Sequence, residues 1–206
     1  MSSLTISSHP LLARAVTRLR DQSTSASDFR RYLHEAGHLL ACEATRLLPT
    51  RKVRVQTPLA VTTGLDLRRA VVLVPVLRSG LALLDPFREI LPDALIGFVG
   101  QHRNEETLQP EAYLFKVPEA SRADVFVLDP MLATGGSASA TLDDLKAHGA
   151  KHLHLVCLVA APEGVRRIQT AHPEVPILLG ALDRRLNEQG YIVPGLGDAG
   201  DRFFGT

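Results

Sequence analysis

Tryptophan is absent from the sequence, and only 5% of its 206 residues are aromatic. A surface that stacks unpaired bases on side-chain rings is therefore not expected. An excess of one charge is missing as well: 23 Lys and Arg stand against 22 Asp and Glu, a formal net charge of +1. That balance argues against affinity built on neutralising a phosphate backbone, so no nucleic-acid partner is expected. Lysine is scarce, 4 residues against 19 arginines, a bias that suits forked contacts to phosphate or carboxylate. Only two cysteines occur, Cys42 and Cys157, far apart in apolar surroundings, and both are read as reduced, buried thiols. The longest apolar runs, around 70–77 and 155–162, are far short of the ~18 residues a membrane span needs. The first ten residues lack a basic stretch followed by an apolar one, so no signal peptide is expected. The expectation is a soluble cytoplasmic protein with no membrane partner.

What is present is ordinary globular composition, 45% hydrophobic and 22% charged. A chain of this length is read as one domain over residues 1–206, needing neither disulfide nor metal to fold. Its first 50 residues read as helical. Leu11, Leu12, Ala15, Val16 and Leu19 mark one amphipathic helix. A second, starting at Ser27 or Asp28, places Phe29, Leu33, Ala36, Leu40, Ala44 and Leu47 on one face and stops at Pro49. Alternation at Val53, Val55, Leu59 and Val61 predicts an exposed two-stranded ribbon. Five continuous apolar runs follow: Ala70–Leu77, Ala94–Val99, Val125–Leu128, Leu153–Ala160 and Ile177–Leu182. Continuity marks strands buried on both faces, hence a parallel sheet. Helical segments Gly80–Leu91, Ser137–His148 and Pro162–Ala171 alternate with them, which predicts a three-layer α/β fold with a central, mainly parallel sheet. The Gly- and Pro-rich stretch 183–206 reads as an irregular cap. Ligands of such sheets bind beyond the carboxyl ends of the strands, so function is sought at 77–80, 100–115, 129–137 and 160–163.

Two motif matches are set aside. Residues 34–38, His-Glu-Ala-Gly-His, match the zinc-protease pattern, with both imidazoles on one helical face. Gly37 weakens a helix, Ala41 and Ala44 stand where a longer zinc motif has Gly and His, and no third ligand is visible nearby. The match is read as coincidence, and no metal ligand is assigned. Residues 195–200, Gly-Leu-Gly-Asp-Ala-Gly, match a dinucleotide fingerprint, but only six residues follow, which leaves no room for its helix and acid.

The segment 125–137 carries chemistry. Val-Phe-Val-Leu is a buried strand; Asp129, Pro130, Met131, Leu132, Ala133, Thr134, Gly135, Gly136 and Ser137 then lead into a helix. Glycines at 135 and 136 permit positive φ and close backbone approach, the first-turn N–H groups converge, and the helix dipole favours an anion. Thr134 and Ser137 add hydroxyls, and Asp129 can accept hydrogen bonds from sugar hydroxyls. Hydrogen bonds to a charged phosphate contribute about 1.5–3 kcal/mol each, so four or five hold one without lysine.

This segment resembles the phosphoribosyl-diphosphate (PRPP) loop of type I phosphoribosyltransferases, in the form found in uracil phosphoribosyltransferases, with Pro130 where the superfamily usually has a second acid. The resemblance extends through Leu77-Arg78-Ser79-Gly80, Arg103-Asn104-Glu105-Glu106-Thr107-Leu108, Val159–Gly164, and Tyr191 to Arg202. It implies transfer of ribose 5-phosphate from PRPP to N1 of uracil, giving UMP and diphosphate in pyrimidine salvage. It also implies catalytic roles for Arg78, Arg103 and Asp198, and a loop carrying Arg78 that often has a cis non-proline peptide. In the same way, Arg78, Arg103, Asp129 to Ser137 and Asp198 bind PRPP, Ile192, Gly197, Asp198 and Ala199 bind uracil under a hood formed by 183–206, and the loop carrying Arg103 closes over PRPP. Further implications are Mg²⁺ bound with PRPP, a homodimer or homotetramer, and GTP as an effector. His102 and Ser79 depart from the usual Tyr and Ala. The alternatives are a phosphoribosyltransferase for another base, or an RNA-binding regulator of pyrimidine genes on the same fold. The near-neutral charge argues against the latter.

Overall fold

A computed structural model describes residues 3–103 and 110–206. Most of the Arg103–Leu108 motif, from Asn104 onward, lies outside the described residues, as does the Arg103 side chain.

The chain begins with β1 (Leu4–Ile6), α1 (Pro10–Arg20) and α2 (Ala26–Ala44), followed by a ribbon of β2 (Thr50–Gln56) and β3 (Val61–Leu67). Next come β4 (Val71–Leu77), α3 (Leu81–Ile90), β5 (Leu95–Ile96), β6 (Phe98–Arg103) and β7 (Pro110–Lys116). The second half holds β8 (Asp124–Leu128), β9 (Met131–Leu132), α4 (Gly136–Ala147), β10 (His152–Ala160), α5 (Pro162–Ala171) and β11 (Ile177–Leu182). The chain finishes with β12 (Arg185–Leu186), β13 (Ile192–Val193) and α6 (Ala199–Phe204).

The central sheet runs β1-β11-β10-β8-β4-β6-β7, with β5 and β9 at its margins. Its pairings are parallel except β6 with β7. The period-two rule sends neighbouring residues of each strand to opposite layers. On β4, Leu73 packs with α1, α2 and α3, whereas Val72 and Val74 pack with α4 and α5. Phe126 and Leu128 of β8 join the first layer, and Val125 and Val127 the second. Both faces are thus covered, which is why these strands read as unbroken apolar runs.

The helices form for local reasons. Pro10 opens α1, and the His9 side chain accepts from the Leu11 N–H. Ser25 caps α2, its Oγ accepting from the Asp28 N–H at 3.1 Å. The cap therefore lies two or three residues earlier than the expected Ser27 or Asp28. Phe29, Leu33, Ala36, Leu40 and Ala44 are buried along one stripe. Cys157 is buried as expected, but Cys42 lies off that stripe and is exposed, which corrects the reading of two buried thiols.

Three further differences concern short elements. Strand β1 has no periodic signal in its three residues and is held by parallel pairing to β11. The stretch read as a loop at 100–115 is flanked by an antiparallel pair, Gln101↔Ala112 to Arg103↔Pro110. The stretch after 182 is less irregular than its glycines and prolines suggest: it contains the β12–β13 pair and the six-residue α6.

Candidate active site

Strands β4 and β8 are neighbours, but the helix after β4 lies in one layer and the helix after β8 in the other. A strand pair that sends its helices to opposite faces leaves a crevice at its carboxyl end. A cleft of about 270 Å³ opens there, lined among others by Leu77, Ser79, Asp129, Ser137, Ile192 and Asp198. Clefts of about 420 and 460 Å³ lie at the opposite end of the sheet, around Arg69 with Asp124 and around Arg68 with Asp93. They are larger, yet among the described residues lining them there is no helix N-terminus or glycine-rich turn, and Asp124 is already held by the Arg69 guanidinium through two hydrogen bonds of 3.0 and 2.9 Å.

The segment after β8 is a cradle with little freedom. The Pro130 carbonyl accepts from the N–H groups of Leu158 and Val159 at 3.2 and 3.0 Å, and the Leu132 carbonyl from Ala161 at 2.9 Å. Pro130 and Leu132 are buried, so they hold the loop instead of lining the cleft, while Asp129, Met131, Ala133 and Ser137 line it. Gly135 sits at φ 74° and precedes α4, and a Cβ there would come within 3.0 Å of the Gly164 carbonyl. Thr134 Oγ1 accepts from the Gly136 N–H at 3.3 Å. The first turn of α4 thus faces the same cleft, with Ser137 on its lining. Gly164 explains the Val159–Gly164 motif: a Cβ there would strike the Ala133 and Leu132 carbonyls, so α5 backs directly onto the cradle.

After β4 the chain turns tightly through Arg78–Gly80, with a cis peptide between Leu77 and Arg78. The Gly80 N–H donates to the Val76 carbonyl at 2.8 Å, and a Cβ at Gly80 would crowd the Val76 backbone to 2.5–2.6 Å. The Arg78 side chain is exposed at the rim, and its guanidinium lies 3.5 Å from Asp201 Oδ1. Strand β6 brings the chain to Arg103 beside the same end of the sheet.

The far wall is built by 183–206. Ile192 and Ala199 are buried, Gly197 has φ 80°, and Asp198 caps α6 by accepting from the Asp201 N–H at 2.9 Å. A second cis peptide joins Val193 to Pro194. Here α6 begins inside the 195–200 segment, at Ala199, although the sequence leaves little space for a helix; with six residues and Asp198 as its cap it is no dinucleotide helix. Two arginines fasten this wall. Arg20 grips buried Asp183 with both nitrogens, at 2.9 and 2.5 Å, and also donates to the Gly195 carbonyl at 2.8 Å. The Gly195 N–H returns to Asp183 at 2.9 Å. Arg202 donates to the carbonyls of Leu19, Leu196 and Asp21, with its guanidinium over the Phe29 ring. Neither anchor was evident from sequence, because each joins residues more than 160 positions apart.

Asp129 is the electrostatic centre of the cleft. Burial pushes its carboxyl from the ordinary 3.8 up to about 6, against a lowering contribution from the Met131 N–H. Burial, and then the Asp129 charge, pushes the neighbouring Cys157 thiol well up, which leaves it inert as a nucleophile. Folded, Asp129 keeps its proton up to about pH 6; unfolded, it loses it near pH 4. Its stabilising contribution is therefore complete below pH 4 and lost as pH rises through 6. Asp129→Asn cannot ionise, so urea melts should show it more stable than wild type by about 1–3 kcal/mol at pH 8 and equal at pH 4. Equal stability at both pH values would mean that the carboxylate is not destabilised by burial.

Comparisons with known proteins agree with this geometry. The family profile described as uracil phosphoribosyltransferase matches residues 6–206. A uracil phosphoribosyltransferase of Streptococcus equi subsp. zooepidemicus is 50% identical over 208 residues, covering all of both chains. That of Streptococcus thermophilus is 48% identical, again over the full length of both. Among solved structures, a protein of Aquifex aeolicus superposes with a TM-score of 0.92 at 40% identity, over 98% of this chain and 97% of its own. An adenine phosphoribosyltransferase of Trypanosoma brucei reaches 0.60 at 12% identity, over 92% of this chain and 87% of its own, a likeness of fold.

Proposed function

The chain belongs to the uracil phosphoribosyltransferase family, and from that premise we propose that its cleft transfers ribose 5-phosphate from PRPP to N1 of uracil, releasing diphosphate and giving UMP for pyrimidine salvage. The observation that carries the proposal is a single cleft with an anion cradle on one wall and a backbone-rich, glycine-containing wall opposite.

In this reading the 5-phosphate lies on Thr134–Ser137 at the N-terminus of α4, where partial positive charge and hydroxyl donors meet it. Asp129 accepts from the ribose hydroxyls. Its high pKa supports that role: a carboxylate poorly solvated in the free protein gains most from donors that arrive with the substrate. As diphosphate departs, C1 of the ribose gains oxocarbenium character. Arg78 and Arg103 neutralise the leaving group, and fixed dipoles do so without reorganisation. Uracil stands against Ile192, Gly197, Asp198 and Ala199. Backbone groups there match an N3–H flanked by carbonyls, and the 4-amino group of cytosine reverses that polarity.

Asp129 and Asp198 would offer the hard oxygen donors that Mg²⁺ takes, and among the described lining residues they are too few for an all-protein cage. Mg²⁺ is therefore proposed to arrive with PRPP, whose phosphates complete its shell; once bound it offsets negative charge on the diphosphate. A homodimer or homotetramer is supported by the β2–β3 ribbon, which holds Leu59 at 96% and Leu65 at 69% exposure. Activation by GTP rests on the family resemblance alone. A cytoplasmic location rests on the family resemblance alone; among the described residues no helix is long and apolar enough to cross a membrane.

The test is product analysis with PRPP and each of uracil, cytosine, hypoxanthine and xanthine. Uracil should be preferred by at least ~100-fold in kcat/KM. Equal turnover of another base would sink the assignment.

A further inference from the structure

The His-Glu-Ala-Gly-His segment of α2, set aside as coincidence for want of a third ligand, has one in the folded chain. His34 and His38 lie one turn apart on α2, and Glu89, near the end of α3, reaches both. Its Oε1 is 3.2 Å from His34 Nε2 and its Oε2 is 2.6 Å from His38 Nε2. The three ligand atoms lie within 4.8 Å of one another, the sole such grouping of three among the described residues. The geometry points to a binding site for a divalent transition-metal ion of the Zn²⁺ type, built from His34, His38 and Glu89 on the outer face of the α2–α3 pair.

Three observations support it independently. Gly37, which sequence analysis counted against the motif, is what brings the helices together: a Cβ there would stand 2.7 Å from Pro86 Cγ and 2.9 Å from Pro86 Cβ. That close approach sets Glu89, three residues beyond Pro86, beside the two histidines. Next, His38 Nδ1 lies 3.0 Å from the His34 backbone carbonyl. A carbonyl only accepts, so Nδ1 donates to it, and Nε2 is the nitrogen left to a metal, which would replace the proton now shared with Glu89. Metal-binding histidines are commonly oriented in this way. Finally, the spacing fits. Zinc–ligand bonds of about 2.0–2.1 Å in a tetrahedron put ligand atoms ~3.3 Å apart. The His34–Glu89 Oε1 distance already matches; the contact with His38 is made by the other carboxylate oxygen, and the three side chains, whose ligand atoms lie within 4.8 Å of one another, would close on an ion by side-chain rotation.

The site is not that of a protease. Glu35, which would act as the base in such an enzyme, turns toward α1, with its carboxylate 3.9 Å from Arg14. An ion here would tie α2 to α3 and keep a coordination position open to solvent or to a donor from another molecule. Two imidazoles and one carboxylate select Zn²⁺, Co²⁺, Ni²⁺ or Cu²⁺ over Mg²⁺, so the site is distinct from any Mg²⁺ carried by substrate.

Calorimetric titration of EDTA-treated full-length protein with Zn²⁺ tests this, alongside melting with and without Zn²⁺. One equivalent should bind per chain and raise Tm. Loss of an outer-shell partner alone costs a metal site about 10- to 100-fold in affinity, so His38→Ala and Glu89→Gln should each lose at least ~10-fold, together with the rise in Tm. Glu35→Gln should retain both. All three side chains are at least partly exposed, and unchanged uracil turnover in zinc-free buffer containing Mg²⁺ will show that the variants fold. Well under one equivalent of zinc on wild type, or undiminished affinity in the His34→Ala/His38→Ala double variant, overturns the site.

Discussion

Arg78→Ala should lower kcat/KM for PRPP by roughly 10²–10³-fold, the scale set by removing one preorganised donor from a developing negative charge. Its melting temperature should match that of wild type. The two expectations are separable because Arg78 contributes little to the folded chain. Its side chain is 63% exposed, and the ion-pair partner seen for it is Asp201, at 3.5 Å and itself 51% exposed. Pairs of this kind stabilise by about 0–1 kcal/mol. The backbone turn that presents Arg78 is fixed independently by Gly80 and its hydrogen bond to Val76. Arg78→Lys should recover only part of the activity, since a point charge cannot reproduce a forked contact to diphosphate. Steady-state kinetics with saturating uracil, read beside thermal melts, decide the matter. Near-wild-type kinetics in Arg78→Ala would show that the leaving group is held elsewhere.

Arg20→Ala should be the most damaging single change to stability among those considered, at about 3–5 kcal/mol. The side chain of Asp183 is only 4% exposed, and Arg20 is its cationic partner. Removing the guanidinium leaves a buried carboxylate with the Gly195 N–H, and it also strips the Gly195 carbonyl of its donor. For a chain of this size each kcal/mol is about 2–4 °C, so Tm should fall by roughly 6–20 °C. The same pair fixes the wall against which uracil is proposed to lie, so KM for uracil should rise even where the protein remains folded. A second variant separates the causes. Adding Asp183→Asn to Arg20→Ala removes the stranded charge and should restore part of the stability, a non-additive result expected of groups in direct contact. Additive losses would mean that the two residues act separately.

Legibility followed chain separation. The strand order could not be read from sequence, but the strands could, because Val71–Val76 and Val125–Leu128 are apolar without a break. The turn from Asp129 to Ser137 was legible as a backbone path, from an acid, two glycines and two hydroxyls within nine consecutive residues. That Pro130 and Leu132 turn away from the cleft was not. Cys42 was misread because its neighbours in sequence are apolar, whereas its helical face is not. The histidine pair was half legible. Positions i and i+4 share a face, but Glu89 comes from 51 positions beyond His38, brought there by a glycine–proline contact between two helices.

The sequence by itself determined the α/β class, the anion cradle and the family, since each is written in contiguous residues whose local conformation carries the signal. It also supplied the expectation with which the reading began, that few rings and a balanced charge do not favour a nucleic-acid partner. The tertiary structure decided which of those pieces meet. It joined the cradle to the terminal wall across one cleft, fastened that wall with Arg20 and Arg202, and turned a discarded motif into a three-ligand cluster. The physical reason is common to all three. Backbone conformation is decided within a few residues, whereas a hydrogen-bonded pair 163 positions apart exists only once the layers have packed and excluded water around it.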